Sequence, residues 1–224
     1  MPTFRPRLDI LPPPQRVLWS ELDATPDHFT LYGGTALALR LGHRQSVDFD
    51  FFSQAPLDPA ALVSEIPYLT GAEPVQRVSH TLTCRIERDG GSVLVSFLGN
   101  LGLGEVAPRE IAEGSRVHVA SLLDIAGTKA LAVQQRSQAR DYVDIDTLIR
   151  QGIDLPHVLA AGMVVHGRRF NPLITLKALG YFDDVPSVPA DVQRRLRSAV
   201  AAVDPTKLPV LTPHRRRAEN GRTP

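Results

Sequence analysis

GGTALALRLGHRQSVDFDFF, residues 33–52, packs a glycine turn and a pair of aspartates into one short segment. A double glycine, Gly33–Gly34, opens an alanine- and leucine-rich run. Asp48 and Asp50 then stand one residue apart in a segment otherwise built for a buried strand. Residues i and i+2 of a strand share a face, so the two carboxylates aim together while Val47, Phe49 and Phe51 aim into a core. Like charges at that spacing resist ionising together unless something offsets them. A divalent cation is the common remedy, and Mg²⁺ takes one or two carboxylates plus substrate phosphates. An isolated D-x-D reads better as an exposed strand end, with one aspartate capping a turn. The preceding turn shifts that reading. Glycines let a backbone approach a phosphate closely, and the N–H groups that open a helix offer donors and partial positive charge. Thr35 adds a hydroxyl, and Arg40, His43, Arg44 and Ser46 cluster just ahead of the aspartates. A phosphate-rich ligand accounts for the glycines, the basic residues and the carboxylates together.

Outward from this stretch, residues 16–24 suggest a short helix with Trp19 and Leu22 on one side, after a proline-rich entry. HFTLYGG reads as a strand running into the glycine turn, TALALRL as a helix with Thr35 at its cap or first turn, and SVDFDFF as the next strand. LDPAALVSEI is a helix opened by Asp58 and Pro59. QRVSHTLTCRIERDGG alternates and ends in a hairpin signal, with SVLVSFLG returning after it and SRVHVAS adding a short strand. Beyond Ser121 apolar residues recur at helical spacing through residue 152, and three further helices follow. This is an α+β plan, divided into a sheet-bearing core at 1–120, a helical domain at 121–210 and a disordered tail at 211–224 that holds Arg215, Arg216 and Arg217.

A second polar stretch lies in KALAVQQRSQARDYVDI, residues 129–145. On one continuous helix Lys129, Arg136 and Arg140 form a stripe, Asp144 lies nearby, and Arg140 and Asp144 make an i,i+4 pair. The plain interpretation is a solvated face laced by ion pairs, with Asp141 capping a second helix. The functional interpretation points Lys129 at a triphosphate, with Asp144 or Asp141 as charge partner or general base.

Bulk properties exclude several classes. The 224 residues carry a formal charge of +1 and are 43% hydrophobic, which gives no overall pull toward nucleic acid or membrane. The one cysteine, Cys84, permits no intrachain disulfide and reads as an apolar strand residue, which suits a cytoplasmic protein. The N-terminus lacks a signal-peptide pattern.

Together the two stretches resemble the nucleotidyltransferase family that includes the AbiEii/AbiGii abortive-infection toxins. The pattern GG-T-A-L-x-x-R, then S-x-D-x-D-F-F, is matched by Gly33, Gly34, Thr35, Arg40, Ser46, Asp48 and Asp50. The later K-x-x-A-x-x-x-R-x-x-x-R-D-x-x-D is matched by Lys129, Arg136, Arg140, Asp141 and Asp144. The resemblance implies a minimal nucleotidyltransferase fold, a mixed sheet flanked by helices, followed by a C-terminal helical region. It implies Mg²⁺ held by Asp48 and Asp50, an NTP substrate with its outer phosphates cradled by Gly33, Gly34 and Ser46, and a catalytic role for Lys129, Asp144 and Asp141. It further implies transfer to an acceptor hydroxyl on tRNA, other RNA or protein, and a cognate antitoxin partner. One departure stands out. Such enzymes usually carry a third carboxylate on a later strand, and the matching position in SVLVSFLG is Ser96. Glu87 or Asp89, or else Asp144 or Asp141, would have to fill in; otherwise the protein is a catalytically degenerate nucleotide- or partner-binding relative.

Overall fold

The computed structural model describes residues 2–215. Two compact units divide the chain: one runs to Gly102 and includes Pro108–Ala120, the other takes Leu103–Ala107 and the chain from Ser121 onward. No helix among the described residues is long and apolar enough to cross a membrane.

The first unit holds a mixed eight-stranded sheet. Its elements are β1 (Thr3–Phe4), α1 (Pro13–Trp19), β2 (Thr30–Tyr32), α2 (Gly33–Leu41), β3 (Asp48–Phe52), α3 (Pro59–Glu65), β4 (Glu73–Val78), β5 (Thr81–Arg88), β6 (Gly91–Leu98), β7 (Glu110–Ala112) and β8 (His118–Val119). The spatial order is β1-β7-β8-β2-β3-β6-β5-β4. Central β3 runs antiparallel to β2 and parallel to β6, with Asp50 opposite Tyr32 on one side and Ser96 on the other.

Alternation along β3 decides what each face holds. Phe49 and Phe51 are buried against Trp19, at 6.3 Å between ring centroids, and Phe97, at 5.4 Å, while the aspartates lie on the opposite face. Val47, expected beside the phenylalanines, is half exposed because the strand proper begins only at Asp48. The expected helix at 16–24 starts earlier and stops sooner. Pro13 and Pro14 occupy its first positions, where a missing N–H costs nothing, and a separate 3₁₀ turn follows at Leu22–Ala24. The run 76–91 is two strands rather than one, folded back at Ser79–His80, with His80 in the left-handed region at φ 59°. The Asp89–Gly90 turn then joins β5 to β6.

The second unit is helical: α4 (Leu122–Gln135), α5 (Ala139–Arg150), α6 (Leu155–His166), α7 (Pro172–Gly180) and α8 (Ala190–Ala201). Ser121 caps α4 by accepting the Asp124 N–H at 3.1 Å. The Asp124 carboxylate in turn accepts the Ser121 hydroxyl and the backbone N–H groups of Val106 and Ala107, which ties Leu103–Ala107 to the helices rather than the sheet. Its burial raises the carboxyl pKa despite those bonds. Arg215, at the edge of the expected tail, is not loose: it exchanges backbone hydrogen bonds with Glu105 at 2.9 and 3.2 Å. Arg216, Arg217 and the remainder of that tail lie outside the described residues.

The continuous helix expected over 122–152 is interrupted. Arg136 takes an extended conformation, φ −151° and ψ 138°, and α5 restarts at Ala139. On a straight helix Lys129 and Asp141 would stand ~18 Å apart along the axis. The break folds α5 back, so the stripe of Lys129, Arg136 and Arg140 does not exist. Arg140 bonds the Gln138 side chain instead of pairing with Asp144.

Candidate active site

The sheet-bearing unit brings Gly33, Gly34, Ser46, Asp48 and Asp50 to one place. Gly33 has φ +75°, a conformation that L side chains rarely adopt, and a Cβ built there would lie 2.6 Å from Asp50 Oδ2. Glycine is therefore required twice over, by backbone angle and by the carboxylate resting against it. A Cβ at Gly34 would meet an Arg44 guanidinium nitrogen at 2.5 Å and Ser46 Oγ at 2.9 Å. Two hydrogen-bond donors thus converge on the second glycine, at the first turn of α2. Tyr32, which precedes that turn, offers no side-chain cap.

Asp48 and Asp50 share the face of β3 that also carries Ser96 and Leu94 of the neighbouring strand. Their Cα atoms are ~7 Å apart by strand rise, and both carry oxygen ligands of the hard type that Mg²⁺ prefers. The donor set thus fits a divalent cation that takes its remaining ligands from a bound phosphate chain. Among the described residues no group of three or more His, Cys, Asp or Glu side chains converges. Ser96 lies in register with Asp50, and its hydroxyl accepts from Thr83 at 3.2 Å. Glu87 pairs across with Ser92, about 12 Å from Asp48 by strand spacing and rise, and Asp89 sits in the hairpin turn. Neither fills the place of a third carboxylate.

Two residues expected near the phosphates are placed elsewhere. Thr35 is buried, and its hydroxyl donates to the backbone carbonyl of Asp48 instead of facing a ligand. Arg40 lies at the far end of α2 with a buried side chain, 3.2 Å from Glu110 and 4.1 Å over the Phe4 ring. It joins β1 and β7 to the helix. Arg44, in contrast, was legible only as one of a basic cluster and proves to sit over Gly34.

In the helical unit Lys129, Arg136, Asp141 and Asp144 form a mutually neutralised quartet. Lys129 Nζ contacts Asp141 Oδ1 at 2.9 Å and Asp144 Oδ2 at 2.6 Å, and Arg136 grips Asp141 at 2.8 and 3.1 Å. Both carboxylates are fully buried. Asp141 is not the helix cap expected; Gln138 holds that position and the Asp141 carboxylate turns inward. Burial alone would raise its pKa, but the Arg136 hydrogen bonds and the Lys129 charge outweigh it and hold the carboxyl below the ordinary range.

A glycine turn opening a helix beside a strand with paired aspartates, on a mixed sheet followed by helices, is the arrangement of a nucleotidyltransferase fold. The structure resembles MenT4, a nucleotidyltransferase toxin of Mycobacterium tuberculosis H37Rv, with a TM-score of 0.59 at 19% identity over 86% of this chain and 83% of that one. It also resembles a candidate nucleotidyltransferase from H. pylori, with a TM-score of 0.52 at 19% identity over 84% and 90% of the two chains. An uncharacterized protein of Aquifex aeolicus (strain VF5) is 33% identical over 159 residues, 70% of this chain and 74% of its own. Residues 16–209 match the family described as nucleotidyl transferase AbiEii toxin, type IV TA system, and the chain belongs to that family.

Proposed function

We propose that the protein is a Mg²⁺-dependent nucleotidyltransferase that moves a nucleoside monophosphate from an NTP to an acceptor hydroxyl on tRNA, other RNA or protein. The observation that carries this reading is the Asp50 carboxylate resting against Gly33. It joins a metal-binding pair to a phosphate-binding turn within one unit. Asp48 and Asp50 would hold the metal, which when bound supplies charge neutralisation for the triphosphate. The α2 N–H groups, the Ser46 hydroxyl and the Arg44 guanidinium donate to phosphate oxygens and fix the chain's orientation. The acceptor hydroxyl then loses its proton to solvent as its oxygen bonds the α-phosphorus, and the bond to the pyrophosphate oxygen breaks so that pyrophosphate leaves. Positioning and electrostatics supply most of the catalysis in such a step.

The resemblance assigns Lys129, Asp141 and Asp144 catalytic roles, and we retain these as proposals. The quartet's internal pairing supports a framework role equally well, because each charge already has its partner. A cytoplasmic location and control by an antitoxin accompany membership of a toxin–antitoxin family. The Ser96 hydroxyl opposite Asp50 favours one second reading, a protein that binds nucleotide without transferring it. Incubation with each α-labelled NTP, Mg²⁺ and total bacterial RNA separates the two. Label that enters RNA or protein and is lost in Asp48→Ala establishes transfer; binding without transfer establishes the degenerate form.

A further inference from the structure

The strand that carries the aspartates outruns one of its neighbours. The last residue of β2 to pair with β3 is Tyr32, opposite Asp50, and the chain turns into α2 at Gly33. Asp48 therefore has no β2 residue beside it. Two side chains act at this point. The Thr35 hydroxyl, on the third residue of α2, donates to the Asp48 carbonyl. The Gln15 side-chain amide, from α1, donates to the Val47 carbonyl. Both residues are almost completely buried, at 2% exposure for Gln15 and 1% for Thr35.

Gln15 is an uneconomical choice for stability alone. Its Oε1 is buried with no hydrogen-bond partner, a state that a methionine or leucine of similar size would avoid. The half of the amide that is satisfied is the half that reaches Val47, the residue just ahead of β3. Thr35 likewise points its hydroxyl at backbone, in the turn of α2 that begins with the two glycines.

We infer that Gln15 and Thr35 are positioning residues for the metal-binding pair: from two different helices they fix the backbone of Val47 and Asp48, and so the height of Asp48 and Asp50 over Gly33. Neither touches substrate. The inference rests on the nucleotide-site reading above. It adds that the affinity for a divalent cation depends on two side chains that are not among its ligands. Residues that orient metal ligands are typically worth 10–100-fold in metal affinity.

The test is Mn²⁺ binding by the full chain, followed by electron paramagnetic resonance in the presence of tripolyphosphate, which needs no knowledge of the base. Thr35→Val and Gln15→Met are each expected to raise the half-saturating Mn²⁺ concentration roughly tenfold. Thr35→Ser, which keeps the hydroxyl, is expected to stay within about twofold of wild type. The thermal midpoint of each variant is measured alongside. If both donor-less variants bind Mn²⁺ as wild type does, the two side chains only stabilise the fold and the inference fails. It also fails if Thr35→Ser is as impaired as Thr35→Val, since packing rather than the hydroxyl would then matter. Because Gln15 and Thr35 lie on separate helices, misfolding of one variant leaves the other to decide. Asp48→Ala distinguishes this inference from its premise. Loss of Mn²⁺ in Asp48→Ala but not in Thr35→Val or Gln15→Met overturns the positioning role alone, whereas retention in Asp48→Ala overturns the site itself.

Discussion

Replacing Gly33 by alanine is the sharpest single perturbation of the proposed site. Its effect has two parts. The backbone at φ +75° costs a non-glycine residue roughly 1–2 kcal/mol. With about 2–4 °C lost per kcal/mol for a chain of this size, the thermal midpoint should fall by about 2–8 °C. The second part is local. A methyl 2.6 Å from Asp50 Oδ2 is closer than real contacts allow, so the carboxylate must retreat by roughly half an ångström, the tolerance within which functional groups must be held. A displacement of this order costs on the order of 10–100-fold in rate. Calorimetry gives the first quantity, and Mg²⁺-dependent release of pyrophosphate from NTP gives the second. Gly34→Ala is the internal control: the methyl there meets only the Arg44 and Ser46 side-chain ends. It should leave the midpoint within about 2 °C of wild type while weakening NTP binding. Full Mg²⁺-dependent activity in a correctly folded Gly33→Ala protein would refute the idea that Asp50 works from its place against the turn.

Further outcomes follow from the same geometry. Lys129→Met leaves Asp141 and Asp144 buried without their shared ammonium and should cost about 3–5 kcal/mol in denaturant unfolding. Adding Asp141→Asn and Asp144→Asn should restore much of that stability. Activity in the triple variant would assign the quartet to the framework, and its loss in the stable protein would assign it to chemistry. The depressed pKa of Asp141 fixes a sign. Its contribution is fully present above the unfolded carboxyl value, near 3.9, and is lost as pH falls through the lower native value. The wild-type midpoint should therefore hold above about pH 5 and drop in acid, whereas Asp141→Asn should start lower and show a shallower acid limb. Ser96→Asp puts a third carboxylate beside Asp50 and should lower the midpoint in chelator, with recovery on adding Mg²⁺. A midpoint indifferent to Mg²⁺ would show that this face does not bind the ion.

Local rules made much of this legible. The i,i+2 alternation of β3 separates Asp48 and Asp50 from Phe49 and Phe51 without knowledge of any partner. The Asp58–Pro59 start of α3 and the Asp89–Gly90 turn each follow from one or two residues. The Ser121 cap of α4 is equally local in the structure, although the sequence marked only a change to helical spacing there. What escaped depends on distant chain. Arg40 reads as a phosphate ligand until Glu110, seventy residues later, claims it. The pairing of Lys129 with Asp141 requires the break at Arg136–Gln138, where no proline or glycine announces it. Strands of two or three residues such as β1 and β7 are too short to show any periodicity. Thr35 reads as a cap or first-turn residue and does lie in the first turn of α2, but only the position of β3 directs its hydroxyl to the Asp48 carbonyl.

The parallel pairing of β3 with β6 bears on how this chain comes into being. During synthesis Asp48–Phe52 emerges more than forty residues before Val93–Leu98, the segment that closes its second edge and covers Phe51 with Phe97. Pairings of such sequence separation form slowly. Until β6 arrives, the aspartate strand is a free edge with Phe51 not yet covered by Phe97, the profile of an aggregation-prone intermediate. A nascent chain halted before residue 91 should therefore be protease-sensitive, and the proposed aspartate site should not form until β6 has been made.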